Sequence, residues 1–304
     1  MEILKEVKKA LATVSLLVFL LLPSSTEAQA IQLTASERAS LAQQIDLLLK
    51  QIALLQTQVD QLAALSEVGA GQITKHVTVI DTYPAYLIPT LANSNHRQYF
   101  QTVFNILPDQ YDAQISHVLV YGGEASFDAY VETVPPRHSS WLYGAHTDVV
   151  SEREPDVELI VHELAHMIAY EELIGVPKPA IANCHEYFAN SNCPAVSSYL
   201  GQFVSTFWSV GDLDRVASYD NWEDQLEAGY EYYDRHPNDF VSDYAAVSPE
   251  EDFAESLMFY LTDSTVGRYT YANDKIQFFD QFEELQQTRK EILEQFYSTA
   301  SGPR

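Results

Sequence analysis

Val157-Glu158-Leu159-Ile160-Val161-His162-Glu163-Leu164-Ala165-His166-Met167-Ile168-Ala169 repeats its apolar residues at helical spacing, with Pro155 and Asp156 as starting residues and Gly175 as a stop. His162 and His166 stand four positions apart. That is one turn of a helix, so both imidazoles leave the same face and their ring nitrogens can converge on one tetrahedral ion. Glu163 projects beside that point, where a carboxylate can take a proton from a metal-activated water. With nine His in 304 residues, independent placement would yield roughly 0.02 matches to His-Glu-x-x-His. An ordinary solvated helix would not set this pattern among Leu, Ile, Val and Ala.

Two imidazoles and a water leave one protein ligand to be found. A third His close behind the second is excluded, because Ala169 stands where a Gly turn is needed and Glu172 where the His would be. Two candidates remain. Glu186, in Cys184-His185-Glu186-Tyr187-Phe188-Ala189-Asn190, lies 20 positions past His166, the spacing of a thermolysin-like ligand on the next helix. Asn190 there occupies the place of a supporting Asp. Glu251 lies 85 positions past His166, in Phe240-Val241-Ser242-Asp243-Tyr244-Ala245-Ala246-Val247-Ser248-Pro249-Glu250-Glu251-Asp252-Phe253-Ala254-Glu255. This reads as a loop, a Ser248 N-cap, Pro249 at the first helical position, and a helix. Glu251 and Glu255 share one face of it, Phe253, Leu257, Met258 and Leu261 suit the core, and an acid in the first turn gains from the helix dipole.

Upstream of the motif the period is two. His76 to Asp81, Ile115 to Tyr121, Phe127 to Val134 and Trp141 to Val150 read as strands, with Asn95 to Leu107 as a helix stopped by Pro108. The chain past Pro155 is helical in pattern, so the class is α+β.

Tyr244, six intervening residues and then Glu251-Asp252-Phe253-Ala254-Glu255, downstream of His-Glu-x-x-His, resembles the gluzincin catalytic domain of the anthrax lethal factor and Pro-Pro endopeptidase group. The resemblance covers residues 72–260 loosely and is specific at these two motifs. It implies a zincin-like domain over residues 72–304 with a small mixed sheet, Zn2+ as cofactor, and Glu251 as the third ligand. It also implies that Tyr244 stabilises the developing oxyanion or protonates the leaving group, and that Glu255 supports a ligand His from behind. The separation of His166 from Glu251 exceeds what is usual in that group. Residues 175–240 then form an insertion carrying a Cys184–Cys193 loop and the run Tyr230, Tyr232 and Tyr233. Tyr233 and His236 are fallback oxyanion donors.

The N-terminal segment reads as a signal peptide over residues 1–30: Lys5, Lys8 and Lys9, an apolar Leu11 to Leu22 too short for a bilayer span, and Ala28-Gln29-Ala30 at the cleavage site. An uncleaved anchor is the alternative. Residues 31–71 form a helical extension, in which Leu41, Ile45, Leu48, Ile52, Leu55, Val59 and Leu62 make a heptad stripe ended by Gly69-Ala70-Gly71. It suits either a homodimer through residues 41–62 or a single helical spacer. The net charge of −26 excludes a nucleic-acid partner, since nothing replaces counterions along a phosphate backbone. In an exported protein Cys184 and Cys193 are expected as a disulfide. The chemistry expected is that of a secreted zinc-dependent endopeptidase, its peptide or protein substrate lying extended along Phe127–Val134 or Trp141–Val150. The competing reading is a surface or envelope binding protein with a structural zinc, closed by His146 as a fourth ligand. A zinc hydrolase acting on a non-peptide amide also fits the motif.

Overall fold

A computed structural model describes residues 77–300, apart from 126, 135–139, 152–154, 172–194, 196 and 267–269. The N-terminal segment, the heptad stripe, Glu186 and the Cys184–Cys193 pair lie outside the described residues. All described residues belong to one compact unit, Gln58–Arg304.

The chain is α+β. Its first half runs β1 (Val77–Pro84), a 3-10 turn (Ala85–Thr90), α1 (Ser94–Ile106), α2 (Asp109–Asp112), β2 (Ile115–Gly123), β3 (Ala129–Thr133), β4 (Trp141–His146) and α3 (Thr147–Val150). The strands form one mixed sheet in the order β1-β2-β4-β3. The β2/β4 pair is parallel and the other two pairs are antiparallel. β2 reads ISHVLVYGG and is buried almost throughout, as expected of a strand covered on both faces. Val118 and Val120 face the main helical core, while Leu119 and Tyr121 pack with Val134, Leu142, Phe127 and Tyr130 on the other side.

The strand expected over Trp141–Val150 is shorter. It stops at His146, whose imidazole accepts the Asp148 backbone N–H at 3.3 Å and starts α3. β4 also sits inside the sheet, between β2 and β3. Of the two strands proposed to receive substrate, therefore, only β3 is at an edge among the described strands.

The second half is helical: α4 (Val157–Ala169), α5 (Tyr199–Phe207), α6 (Val210–Ala217), α7 (Trp222–Arg235), a 3-10 turn (Tyr244–Ala246), α8 (Pro249–Leu261), α9 (Tyr271–Gln277), a second 3-10 turn (Phe278–Gln281) and α10 (Glu283–Ala300). The stretch expected as an insertion thus contributes α5 to α7. Asp156 caps α4, its Oδ1 accepting from the Glu158 and Leu159 amides at 2.9 and 3.4 Å. Ser248 caps α8 through the Glu251 amide at 3.2 Å, with Pro249 next to it as anticipated. Phe253, Leu257, Met258 and Leu261 on α8 are all buried, and Phe253 meets Phe203 and Phe279 edge-on. Burying aromatic area of this kind supplies most of the adhesion between helices.

Candidate metal centre

α4 and α8 pack against each other and bring three side chains to one point. The four-residue spacing on α4 places His162 Nε2 and His166 Nε2 3.1 Å apart. Glu251 enters from the first turn of α8, its Oε2 3.2 Å from His162 Nε2 and 3.3 Å from His166 Nε2. Despite these short distances, Glu251 Oε2 lacks hydrogen-bond geometry to either ring and is buried without a partner. The three atoms form a nearly equilateral triangle. Ligand atoms about 2.0–2.1 Å from a tetrahedral zinc lie roughly 3.3–3.4 Å apart, so the group fits a metal ion. His162, His166 and Glu251 could hold one.

The partners behind these ligands favour the same arrangement. His162 Nδ1 lies 2.7 Å from Glu255 Oε1, a contact that fixes a proton on Nδ1 and aims Nε2 at the triangle. Glu255 Oε2 in turn accepts from Ser242 Oγ at 2.6 Å, and Ser242 Oγ accepts the Ala245 amide at 3.1 Å. Burial would raise the Glu251 carboxyl, but the adjacent imidazoles, His166 first and then His162, hold it well below the usual carboxylate range.

Glu163 is buried beside the triangle, and its Oε2 has no hydrogen-bond partner. Burial pushes its carboxyl up, against the opposing charges of His166 and His162. A hydrogen bond from the Val131 backbone also reaches it, tying the motif to β3. The register of β3 makes this possible. Asp128 O accepts from His146 N and Val134 N donates to Ser140 O, both at 2.8 Å, so the alternation of an antiparallel ladder turns the backbone groups of Ala129 and Val131 to the open edge.

Tyr244 stands in the 3-10 turn that leads into α8, its ring 5.8 Å from that of His162. Burial, and then the charges of Glu251 and Glu163, push its hydroxyl well above the ordinary tyrosine value, so it stays protonated. α7 supports this turn. Trp222 meets the Tyr244 ring at 6.4 Å, Gln225 Nε2 donates to Val247 O at 3.3 Å, and Gly229 packs directly on Val247.

The other sequence candidates sit elsewhere. His146 is occupied by Gly123 O at 3.1 Å and by the cap of α3, so it is no fourth ligand. His236 stacks on Tyr232 at 4.4 Å and faces Asp239 at 3.4 Å, and Tyr233 packs against the core. Sequence reasoning gave no role to Ser242, Tyr170, Glu250 or the Val131 backbone. Tyr170, the C-cap of α4, donates to Glu250 Oε1 at 3.0 Å. Burial and the charge of Glu251 push the Glu250 carboxyl up to about 7. Only the four-residue return from His166 to Tyr170 hinted at a residue on the ligand face. No helix among the described residues is long and apolar enough to cross a membrane. No protein-family model, curated protein or solved structure matches this chain.

Proposed function

We propose that the chain is an exported, zinc-dependent endopeptidase with a zincin-like catalytic domain. The reading is carried by the triangle of His162 Nε2, His166 Nε2 and Glu251 Oε2, with separations of 3.1, 3.2 and 3.3 Å. Residues 1–30, read as a signal peptide, support export.

A zinc ion held by the three ligands would supply Lewis acidity to a water and to the scissile carbonyl. Glu163, buried and with one carboxylate oxygen unpartnered, accepts the proton of the attacking water and delivers it to the leaving amine. Tyr244 donates its hydroxyl proton in a hydrogen bond to the developing oxyanion, a contribution of about 3 kcal/mol for one well-placed donor. The peptide lies antiparallel to β3, paired with the outward backbone groups of Ala129 and with the Val131 carbonyl, the Val131 N–H being taken by Glu163. This pairing sets the scissile bond beside Glu163, because Val131 and Glu163 are already joined.

Glu163→Gln tests the proposal. It keeps the shape of the side chain and removes its basicity, so peptide cleavage should fall about 10²–10⁴-fold while zinc stays bound. Cleavage at the wild-type rate would exclude the mechanism. A chelator adds a second reading: activity should vanish with the fold retained, whereas unfolding would indicate a structural ion.

A further inference from the structure

Glu250, Glu251 and Asp252 are three consecutive acids in the first turn of α8, and all three are largely withdrawn from solvent. Each ends on a different partner. Glu250 accepts from Tyr170 at the end of α4, and Glu251 meets the two imidazoles. Asp252 turns the other way, to Lys275 Nζ of α9 at 2.6 Å, in a pair whose side chains are 0% and 2% exposed. Asp252 also accepts from Trp208 Nε1 at 2.8 Å and Ser256 Oγ at 3.4 Å, and Lys275 Nζ lies 3.9 Å from the centre of the Phe240 ring.

A buried ion pair adds little stability over well-packed apolar residues of similar volume, because desolvation offsets most of the attraction. Stability therefore does not account for the Asp252–Lys275 pair. The best-attested use of such a pair is to fix a register. Here there is a register to fix. Successive residues on a helix differ in direction by about 100°, so a one-residue shift in the register of α8 would offer Glu250 or Asp252 to the imidazoles instead. Carboxylates of similar chemistry in a row make that error easy unless the neighbours are already committed.

We propose that the Asp252–Lys275 pair and the Tyr170–Glu250 hydrogen bond form a rotational lock on α8, which leaves Glu251 as the one acid of the three able to meet His162 and His166. The lock rests on reading the triangle as a zinc site. Its members touch neither the triangle atoms nor the reacting groups, so they are positioning residues.

Zinc affinity of the full chain, measured by competition with a chromophoric chelator alongside thermal unfolding, tests it. The variants are Asp252→Leu/Lys275→Met, which replaces the pair by apolar residues, and Tyr170→Phe, which removes one hydroxyl. The double variant is expected to unfold near the wild-type temperature yet bind zinc roughly 10–100-fold more weakly, the range for partners behind a ligand. Tyr170→Phe should lose about 10-fold. Wild-type affinity in either folded variant overturns the lock. Should the double variant fail to fold, Tyr170→Phe decides alone. A wild-type chain that takes up no zinc overturns the site as well, which is distinct from variants that bind as tightly as a zinc-binding wild type.

Discussion

The two helices that meet at the candidate metal centre make their contributions in different ways. α4 brings both imidazoles by itself, and a spacing of four residues on one helix sets their separation whatever surrounds it. α8 brings one carboxylate from 85 positions farther on, and its setting depends on Tyr170, Trp208, Ser242 and Lys275, residues scattered along the chain. A ligand pair built into one helix survives disturbance of its neighbours. A ligand imported by tertiary packing does not, so substitutions around α8 should do more damage than substitutions around α4.

The largest expected effect is that of Lys275→Met alone. It removes the cation and leaves Asp252 fully buried with only neutral donors, Trp208 and Ser256. Losing one member of a buried pair costs about 3–5 kcal/mol, and each kcal/mol lowers the melting temperature of a domain this size by about 2–4 °C. Denaturant and thermal unfolding measure it. A loss below about 1 kcal/mol, the scale of an exposed pair, would mean that α8 holds its place without the ion pair and that the contrast with α4 is weaker than drawn.

Gly229→Ala should come next. A Cβ at this position in α7 would stand 2.7 Å from both Cα and Cγ2 of Val247 and 3.0 Å from its amide nitrogen. Two of these three atoms are backbone, so the Tyr244–Val247 turn must move away. Overpacking of this kind costs about 1–3 kcal/mol. The displaced element carries Tyr244, whereas both imidazoles stay on α4. Turnover should therefore fall more than zinc affinity, in parallel measurements on one preparation. Unchanged kcat with the full loss of stability would separate Tyr244 from the chemistry.

The same contrast governs what could be read from the sequence. The arrangement of the candidate ligand pair was legible because its geometry is local: His162, Glu163 and His166 need only a helix, and Val157–Ala169 is one. The N-cap Ser248 with Pro249, and the buried row Phe253, Leu257, Met258 and Leu261, were legible for the same reason. The α+β class followed from the change of period after Val150. Trp141–Val150 misled because Val149 and Val150 continue a strand-like apolar run, while the break is made by a side-chain contact from His146 to the Asp148 amide. Lys275 and Trp208 carry no local pattern that sets them apart from ordinary helix residues, and Tyr170 carries only its four-residue step from His166. Their significance arises only when α9, the end of α5 and the end of α4 come against one turn of α8. His236 and Tyr233 lie on the same face of α7 as Trp222, Gln225 and Gly229, but one to two turns farther along, past the residues that meet the Tyr244 turn.

The smallest expected effect lies on the α4 side and is the sharpest test of the contrast. Asp156→Ala removes the acceptor for the Glu158 and Leu159 amides and should cost about 1 kcal/mol, the usual worth of an N-cap. The freed amides can turn to water, so the first turn frays without a buried polar group being left unpaired. His162 lies beyond that turn, between Val161 and Leu164, both fully buried. Its distance to His166 is set by intact helix, and Glu255 holds its ring from the opposite side. Zinc affinity and peptide turnover should therefore match wild type even as the melting temperature drops. A zinc affinity reduced by about 10-fold, the loss typical of a residue supporting a ligand, would show that α4 too depends on its ends to present the metal site.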